Sequence, residues 1–130
     1  MSEENVEVVR KAYELWNRGD LDAFMGLIDE EVVIRAAEGW PEPVFYGKDS
    51  ARTFFEGLVE SIGHNSVIEE VTGAGQVVVI RFRTSVTGGQ SGIETEIRSS
   101  QVITLRKGRA VLLEYFWDHQ EALEAAGLLE

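Results

Sequence analysis

Apolar residues in the first part of the chain recur at steps of three or four, which is the period of an amphipathic α-helix. This pattern predicts one helix from Ser2 to Arg18 and, after the helix-ending Gly19, a shorter helix from Asp20 to Ile28. A third helix is predicted from Asp49 or Ser50 to Ile62, because its apolar residues share one wide face. The first half of the chain should therefore be largely helical.

The second half is rich in β-branched and aromatic residues that alternate with polar ones, which is the pattern of strands with one buried face. Short glycine-containing turns separate these segments, so consecutive strands should pair antiparallel. After the last strand, Asp118 and Glu121 have the spacing of a capping box and predict a short helix from Ala122 to Ala126. The predicted strands are Val32–Ala37, Val67–Thr72, Gln76–Val86, Ile93–Leu105 and Arg109–Trp117.

These elements predict a single α+β domain over residues 1–130. Three helices followed by a meander can bury their apolar faces together on one side of a single sheet. We therefore expect a cone-shaped fold, with three N-terminal helices packed on a strongly curved antiparallel sheet and a short C-terminal helix. The cavity of the cone should lie between the two layers.

The charge balance excludes some classes of partner. The chain has 23 acidic and 12 basic residues and a net charge of −11, which opposes binding to nucleic acid and to anionic membrane surfaces. It has no cysteine, which suits a reducing cytoplasm. Because the sequence shows neither a basic-then-apolar leader nor an apolar run of about 20 residues, a cytoplasmic location is expected. His64 and His119 are expected at the surface and lack the spacing of metal ligands.

Three motifs carry a resemblance to a known family: Asn17-Arg-Gly-Asp-Leu-Asp22 at the helix corner, Tyr46-Gly-Lys48 before the third helix, and the segment from Glu114 to Gly127. Together they resemble the SnoaL-like branch of the nuclear transport factor 2-like superfamily, which includes ketosteroid isomerases, epoxide hydrolases, dehydratases and polyketide cyclases. The resemblance implies acid–base groups inside a cone, and chemistry on a small apolar molecule without a metal or another cofactor.

The carboxylates that these catalytic families use are missing at the matching positions of this chain. Matching the helix corner to ketosteroid isomerases places their base at Ala36 and their protonated aspartate at or near Gln101. Counting from the hairpin glycine places the epoxide hydrolase carboxylate at Tyr115. The cyclase carboxylate matches Asp118 imprecisely, and helix capping explains Asp118 equally well. The resemblance therefore identifies no reaction.

Glu38 is the candidate acid or base that remains, because it lies in a loop at the predicted cavity mouth with Trp40 and Tyr46. Aromatic walls would raise the pKa of a carboxylate, which suits proton transfer near neutral pH. Gln101 and Tyr115 are the candidate polar contacts that would act with it. We expect the cavity to be lined by Tyr13, Trp16, Trp40, Tyr46, Ile80, Phe82, Ser99, Leu113 and Trp117.

The last hairpin decides whether Glu114 or Tyr115 faces the cavity, because a one-residue slip in register exchanges neighbouring side chains. A three-residue loop, Arg106–Gly108, places Gln101 opposite Leu113 and turns Tyr115 inward. A loop one residue shorter places Gln101 opposite Glu114 and turns Glu114 inward. The longer loop is preferred, because a Lys-Gly pair is a poor two-residue turn and because outward arginines would neighbour Glu114.

Two functions stay open from the sequence. The first is a cofactor-free cyclase, isomerase, dehydratase or hydrolase that acts on a small apolar molecule through Glu38, Gln101 and Tyr115. The second is a non-catalytic module that binds a small ligand or a protein partner. A homodimer is expected under either function, since Leu112 and Phe116 should lie on the outer sheet face and need cover.

Overall fold

The computed structural model describes residues 2–88 and 93–128, which form four helices and six strands. Every helix and strand predicted above is present, with bounds that differ by a few residues. One further strand, β2, was not predicted. The elements are α1 (Ser2–Asn17), α2 (Leu21–Met25), β1 (Ile28–Arg35), β2 (Val44–Tyr46), α3 (Lys48–Ile62), β3 (Ser66–Ala74), β4 (Val77–Gly88), β5 (Ile93–Arg106), β6 (Arg109–Phe116) and α4 (His119–Ala125).

The six strands form one sheet in the order β2-β1-β6-β5-β4-β3. Neighbouring strands pair antiparallel except β1 and β6, which run parallel. The sheet is therefore mixed, whereas an antiparallel sheet was predicted. Most of the chain separates β1 from β6, so no turn signal in the sequence sets their relative direction. The α+β class, with helices packed on one sheet and a short C-terminal helix, is confirmed.

The strand β2 occupies the end of the predicted loop that holds Glu38, Trp40 and Tyr46. Its Val44 and Tyr46 pair antiparallel with Arg35 and Val33 of β1. Phe45 points into the core, and Tyr46 points outward with 72% of its surface exposed. Both prolines of the loop precede β2, so they remove no donor from its ladder.

The corner between α1 and α2 brings three aromatic rings together. Gly19 has a φ of 75°, a backbone conformation that favours glycine, and the Asp20 side chain accepts from the Ala23 N–H at 3.1 Å to cap α2. The ring centroids of Phe24 and Phe55 then lie 4.9 Å apart, and those of Trp16 and Phe55 lie 5.8 Å apart. These rings, which are buried, form the closed side of the core.

A second apolar cluster lies on the outer face of the sheet, where Ala122 of α4 packs with Val79 and Val102. Phe116 joins this cluster, so a helix of the same chain covers part of the outer face. One of the two residues for which a dimer partner was expected is therefore covered within the chain. The other, Leu112, is half-buried.

His119 is bonded at both ring nitrogens, and the expectation that it is a surface residue is wrong. Its Nδ1 lies 2.9 Å from Ser100 Oγ and its Nε2 lies 3.2 Å from a carboxylate oxygen of Glu70. Its side chain is 19% exposed. Asp118 is the N-cap of α4 and accepts a hydrogen bond from the Gln120 N–H at 2.8 Å. The helix therefore begins at His119, whose side chain lies over the sheet.

The β5–β6 hairpin turns Tyr115 inward, although its loop differs from the preferred one. The loop holds only Lys107 and Gly108, both with positive φ (54° and 75°), which is the geometry of a two-residue hairpin turn. Tyr115 nevertheless lies opposite Gln101, and its neighbour in sequence, Glu114, lies opposite a residue of the outer face. The predicted orientation is thus confirmed, while the predicted loop and the predicted partner of Gln101 are wrong.

A β-bulge explains why Tyr115 faces inward although the hairpin loop has only two residues. The register shifts between Thr104 and Leu105 of β5, where β6 carries one extra residue, Val111. This extra residue displaces the rest of β6 by one position and returns Tyr115 to the inner face. An unbroken ladder from the same turn would have placed Glu114 inside.

Candidate functional site

The cone encloses a cavity of about 160 Å³ between the sheet and the helices α1 and α3. Alternate residues of β4, β5 and β6 line one wall, because successive side chains of a strand point to opposite faces. Most of the lining is aliphatic or aromatic. Among the described residues that line the cavity, the polar groups are phenols, hydroxyls, indoles and one amide, and none is a carboxylate, imidazole, ammonium or guanidinium group.

Exposure along β6 indicates where the cavity opens. Leu113 is buried, Tyr115 is half-buried and Trp117 is 56% exposed, although all three line the cavity. The indole N–H of Trp117 donates to the carbonyl oxygen of Glu38 at 2.8 Å, which attaches the loop after β1 to this end of the sheet. The mouth therefore lies at the end of β6, beside the loop that holds Trp40.

Three polar side chains meet inside the cavity. The Tyr13 hydroxyl donates to Gln101 Oε1 at 3.2 Å, and Gln101 is paired with Tyr115 across the β5–β6 ladder. A side-chain hydrogen bond from Gln101 lowers the pKa of the Tyr115 phenol, which is the effect of a donor on the phenolate oxygen. The amide oxygen of Gln101 therefore accepts from Tyr13, and Gln101 lies beside the Tyr115 phenol.

Burial keeps both phenols neutral. Desolvation by burial is the main cause that raises the pKa of Tyr115, and it outweighs the opposing bond from Gln101. Desolvation also raises the pKa of Tyr13 well above its ordinary value, and the nearby Tyr115 adds to that rise. Both phenols thus act as hydrogen-bond donors at neutral pH, and neither is poised to act as a base.

The raised pKa values predict a loss of stability in alkali. A phenol whose pKa is higher in the folded than in the unfolded state contributes stability that is complete below about pH 10 and falls as the pH rises further. Each tyrosine should add a slope of at most about 1.4 kcal/mol per pH unit. The measurement is chemical denaturation between about pH 9 and pH 11. Tyr115→Phe should flatten the slope, and Tyr46→Phe, which alters an exposed ring, should leave it unchanged; equal slopes in all three proteins would contradict the assignment.

A pair of hydroxyls forms a second polar group in the cavity lining. Ser66 Oγ and Thr84 Oγ1 lie 3.1 Å apart, and both residues are buried. The Asn17 side chain donates to the Ser66 carbonyl at 2.7 Å and accepts from the Ser66 N–H at 2.9 Å, which fixes the first residue of β3. Ser66 was missed because the predicted strand began one residue later. Extending the alternation back from Ile68 would have placed Ser66 on the inner face.

The structure brings most of the predicted site residues together. Ile80 is an exception, because it is fully buried in the core and does not reach the cavity surface. The prediction that Tyr46 lines the cavity is wrong, since the alternation of β2 points Phe45 inward instead. The Glu38 side chain is exposed and lies outside the lining, so its placement lends no support to a role as acid or base. The predicted residues in the lining are Tyr13, Trp16, Trp40, Phe82, Ser99, Gln101, Leu113, Tyr115 and Trp117.

Charged side chains lie on the outer surfaces, as expected for the arginines of β4 and β5. Arg83 and Glu96 approach to 3.2 Å, and Arg98 and Glu69 to 3.1 Å. Within residues 2–88 and 93–128, no three or more His, Cys, Asp or Glu side chains cluster as a metal site would require. In the same residues, no helix combines the length and the apolar character that crossing a membrane would take.

Comparisons with known proteins agree on the family. Residues 9–113 match the family model of the SnoaL-like domain. A protein from Jannaschia sp. CCS1, assigned as a SnoaL-like polyketide cyclase, shares 20% identity over 100% of this chain and 96% of its own, with a TM-score of 0.74. SalBIII, an epoxide hydrolase/cyclase-like enzyme of pyran ring formation in salinomycin, shares 22% identity over 89% of this chain and 92% of its own, with a TM-score of 0.73.

The fold itself does not determine an activity. A de novo designed protein with a curved β-sheet matches 99% of this chain and 100% of its own at 16% identity, with a TM-score of 0.73. No curated protein matches the sequence. Similarity to solved structures at these identities shows the fold, so any function must be argued from the cavity.

Proposed function

This chain belongs to the SnoaL-like domain family, and we propose that its cone binds one small, largely apolar molecule that carries a hydrogen-bond-accepting oxygen. The ligand class is a compound of about one ring with a carbonyl, ether or epoxide oxygen. Binding is non-covalent in this proposal. The oxygen would accept a hydrogen bond from Tyr115, and the rest of the molecule would contact the aromatic and aliphatic walls.

The polar group of Tyr13, Gln101 and Tyr115 in the cavity lining carries the proposal. The Tyr115 phenol is neutral and lines the cavity, so its hydroxyl hydrogen is available to an acceptor bound there. A buried donor without an acceptor costs about 1–3 kcal/mol, so a ligand oxygen that pairs with it would be favoured. Phe54 packs against the Tyr115 ring at a centroid distance of 5.4 Å, which restricts the phenol and reduces the entropy that binding would otherwise cost.

The size of the cavity limits the ligand. An engineered apolar cavity of about 150 Å³ holds one benzene molecule, and drug-sized ligands occupy about 300–1,000 Å³. A cavity of about 160 Å³ therefore suits a single ring, with any longer substituent directed to the mouth beside Trp117. Both the apolar walls and the neutral phenols disfavour a charged ligand.

The test compares acetophenone with isopropenylbenzene, in which a methylene group replaces the carbonyl oxygen. Wild-type protein should bind acetophenone about 5- to 10-fold more tightly, because one net hydrogen bond contributes about 1 kcal/mol. Tyr115→Phe should remove this preference and leave the affinity for isopropenylbenzene unchanged. Tyr46→Phe is the matched control and should bind like the wild type, because Tyr46 lies outside the cavity. Isothermal titration calorimetry measures both affinities, and equal binding of the two compounds by the wild type would contradict the proposal.

Catalysis is the second candidate, and the activities named for the polyketide cyclase-like and SalBIII neighbours support it. The neutral Tyr115 phenol could polarise a substrate oxygen, and Glu38 at the mouth would have to supply the base. Turnover of an identified substrate that is unchanged in both Glu38→Gln and Tyr115→Phe would exclude this candidate. Ligand-dependent stabilisation without product formation would favour the binding function.

A homodimer remains part of the proposal. Because α4 of the same chain covers Phe116, less apolar surface is left on the outer face for a partner than the sequence predicted. The remaining apolar stripe on the outer face consists of Tyr46, Val33 and Leu112, which are neighbours across β2, β1 and β6. Sedimentation at high micromolar concentration measures the association, and a strict monomer would count against it.

A further inference from the structure

We propose that the cavity contains a second polar subsite, formed by the hydroxyls of Ser66, Thr84 and Ser99, which selects ligands with a second oxygen. This inference rests on the proposed function, since it concerns the same cavity and its ligand. The ligand class narrows to a single-ring compound with an acceptor oxygen at one end and a hydroxyl or carbonyl group at the other.

The hydroxyl pair of Ser66 and Thr84 has hydrogen-bonding capacity beyond its own contact. The two oxygens lie 3.1 Å apart, and the residues are only 6% and 1% exposed. Two hydroxyls carry two hydrogens, and the contact between them uses one. The pair therefore presents both a donor and acceptor lone pairs from fixed positions, because Asn17 holds the backbone of Ser66.

Ser99 extends this polar group across the sheet. It lies opposite Phe82, and Thr84 lies opposite Ile97, so Ser99 and Thr84 are diagonal neighbours on the inner face. Ser99 is half-buried and lines the cavity. The three hydroxyls thus come from three adjacent strands and share one wall of the cavity.

The register gives the separation between the two polar groups. Ser99 is two residues from Gln101 along β5, which corresponds to about 7 Å. Thr84 lies opposite a residue of β5 that is four positions from Gln101, which corresponds to about 13 Å along the strand direction. These are separations between backbone positions. Because Tyr115 and Ser99 both line the cavity, a ring compound bound inside it can contact the hydroxyls of both.

Strand cohesion alone does not account for a hydroxyl at position 84. Backbone pairing of Ser66 with Thr84 already joins β3 to β4, and the other inward residues of β4, Val78, Ile80 and Phe82, are apolar. The Thr84 hydroxyl contacts Ser66, and the one hydrogen of the pair that this contact leaves unused is available to a polar ligand group.

The test compares 4-hydroxyacetophenone with 4-methylacetophenone, which have substituents of similar size. An apolar cavity would prefer the methyl compound, because the hydroxyl would lose its bonds to water. The subsite predicts the reverse, with wild-type protein binding the hydroxyl compound about 5- to 10-fold more tightly at a pH where its phenol is neutral. Thr84→Val combined with Ser99→Ala should abolish this preference while 4-methylacetophenone still binds.

Thr104→Val is the matched control, because Thr104 lies on the outer face of β5, opposite Leu112. It should preserve the preference of the wild type. Retained binding of 4-methylacetophenone by the double variant shows that its cavity is folded. A wild type that binds both compounds equally, or a double variant that keeps the preference, would overturn the subsite while leaving the proposed function intact. If neither compound binds to the wild type, the proposed function fails and the subsite fails with it.

Discussion

Gln101→Glu should leave the protein stable near pH 4 and reduce its free energy of unfolding by about 4 kcal/mol at about pH 8. The side chain at this position is buried between two neutral phenols in a cavity whose described lining holds no cation. Burial can raise the pKa of a carboxyl group by about 3–5 units, and each unit corresponds to about 1.4 kcal/mol. Because the folded-state pKa would exceed the unfolded value of about 4.3, the stability is complete below that value and is lost as the pH rises.

Chemical denaturation of Gln101→Glu and Gln101→Met across this pH range provides the measurement. The methionine variant loses the bond to Tyr13 without adding a charge, so its deficit of about 1–3 kcal/mol should not change with pH. Equal pH dependence in the two variants would show that position 101 is open to water and would contradict the burial described above.

Phe55→Ala should lower the free energy of unfolding by about 3–5 kcal/mol. Phe55 is 1% exposed and contacts Phe24, Trp16 and Phe54, so its removal leaves a hole that none of these rings can fill. The measurement is urea denaturation monitored by tryptophan fluorescence, since Trp16 is one of the contacting rings.

The matched control for Phe55→Ala is Phe55→Leu, which keeps most of the volume and should cost about 1.5 kcal/mol or less. A loss below about 1 kcal/mol for the alanine variant would contradict the description of the core, because it would mean that the α1–α2 corner and α3 are not packed around this ring.

The helices and the meander could be predicted from the sequence because their signals are local. The steps of three and four in α1, the cap at Asp20 and the turns between strands each depend on a few neighbouring residues. The parallel pairing of β1 with β6 could not be predicted in this way, because it joins segments at opposite ends of the chain. The strand β2 was missed for a different reason, because the two prolines of its loop, which precede it, argued against regular structure.

The polar centre of the cavity was predicted in part. Gln101 and Tyr115 were placed in the cavity from strand alternation, and Tyr13 from helix periodicity, but the hydrogen bond that joins Tyr13 to Gln101 spans 88 positions of sequence. The inward direction of Tyr115 depends on the bulge at Val111, which no local pattern indicated. Glu38 was chosen for its chemistry and its aromatic neighbours. In the structure its side chain is exposed to solvent, and its carbonyl oxygen accepts a hydrogen bond from the Trp117 indole.

The central claim is that the cone binds an oxygenated apolar ring through Tyr115, and a crystal structure of the protein with acetophenone tests it most directly. The predicted result is a ring between Trp40, Phe82 and Leu113, with its carbonyl oxygen within hydrogen-bonding distance of the Tyr115 hydroxyl. A cavity filled by its own side chains, or a ring bound with its oxygen away from Tyr115, would contradict the claim.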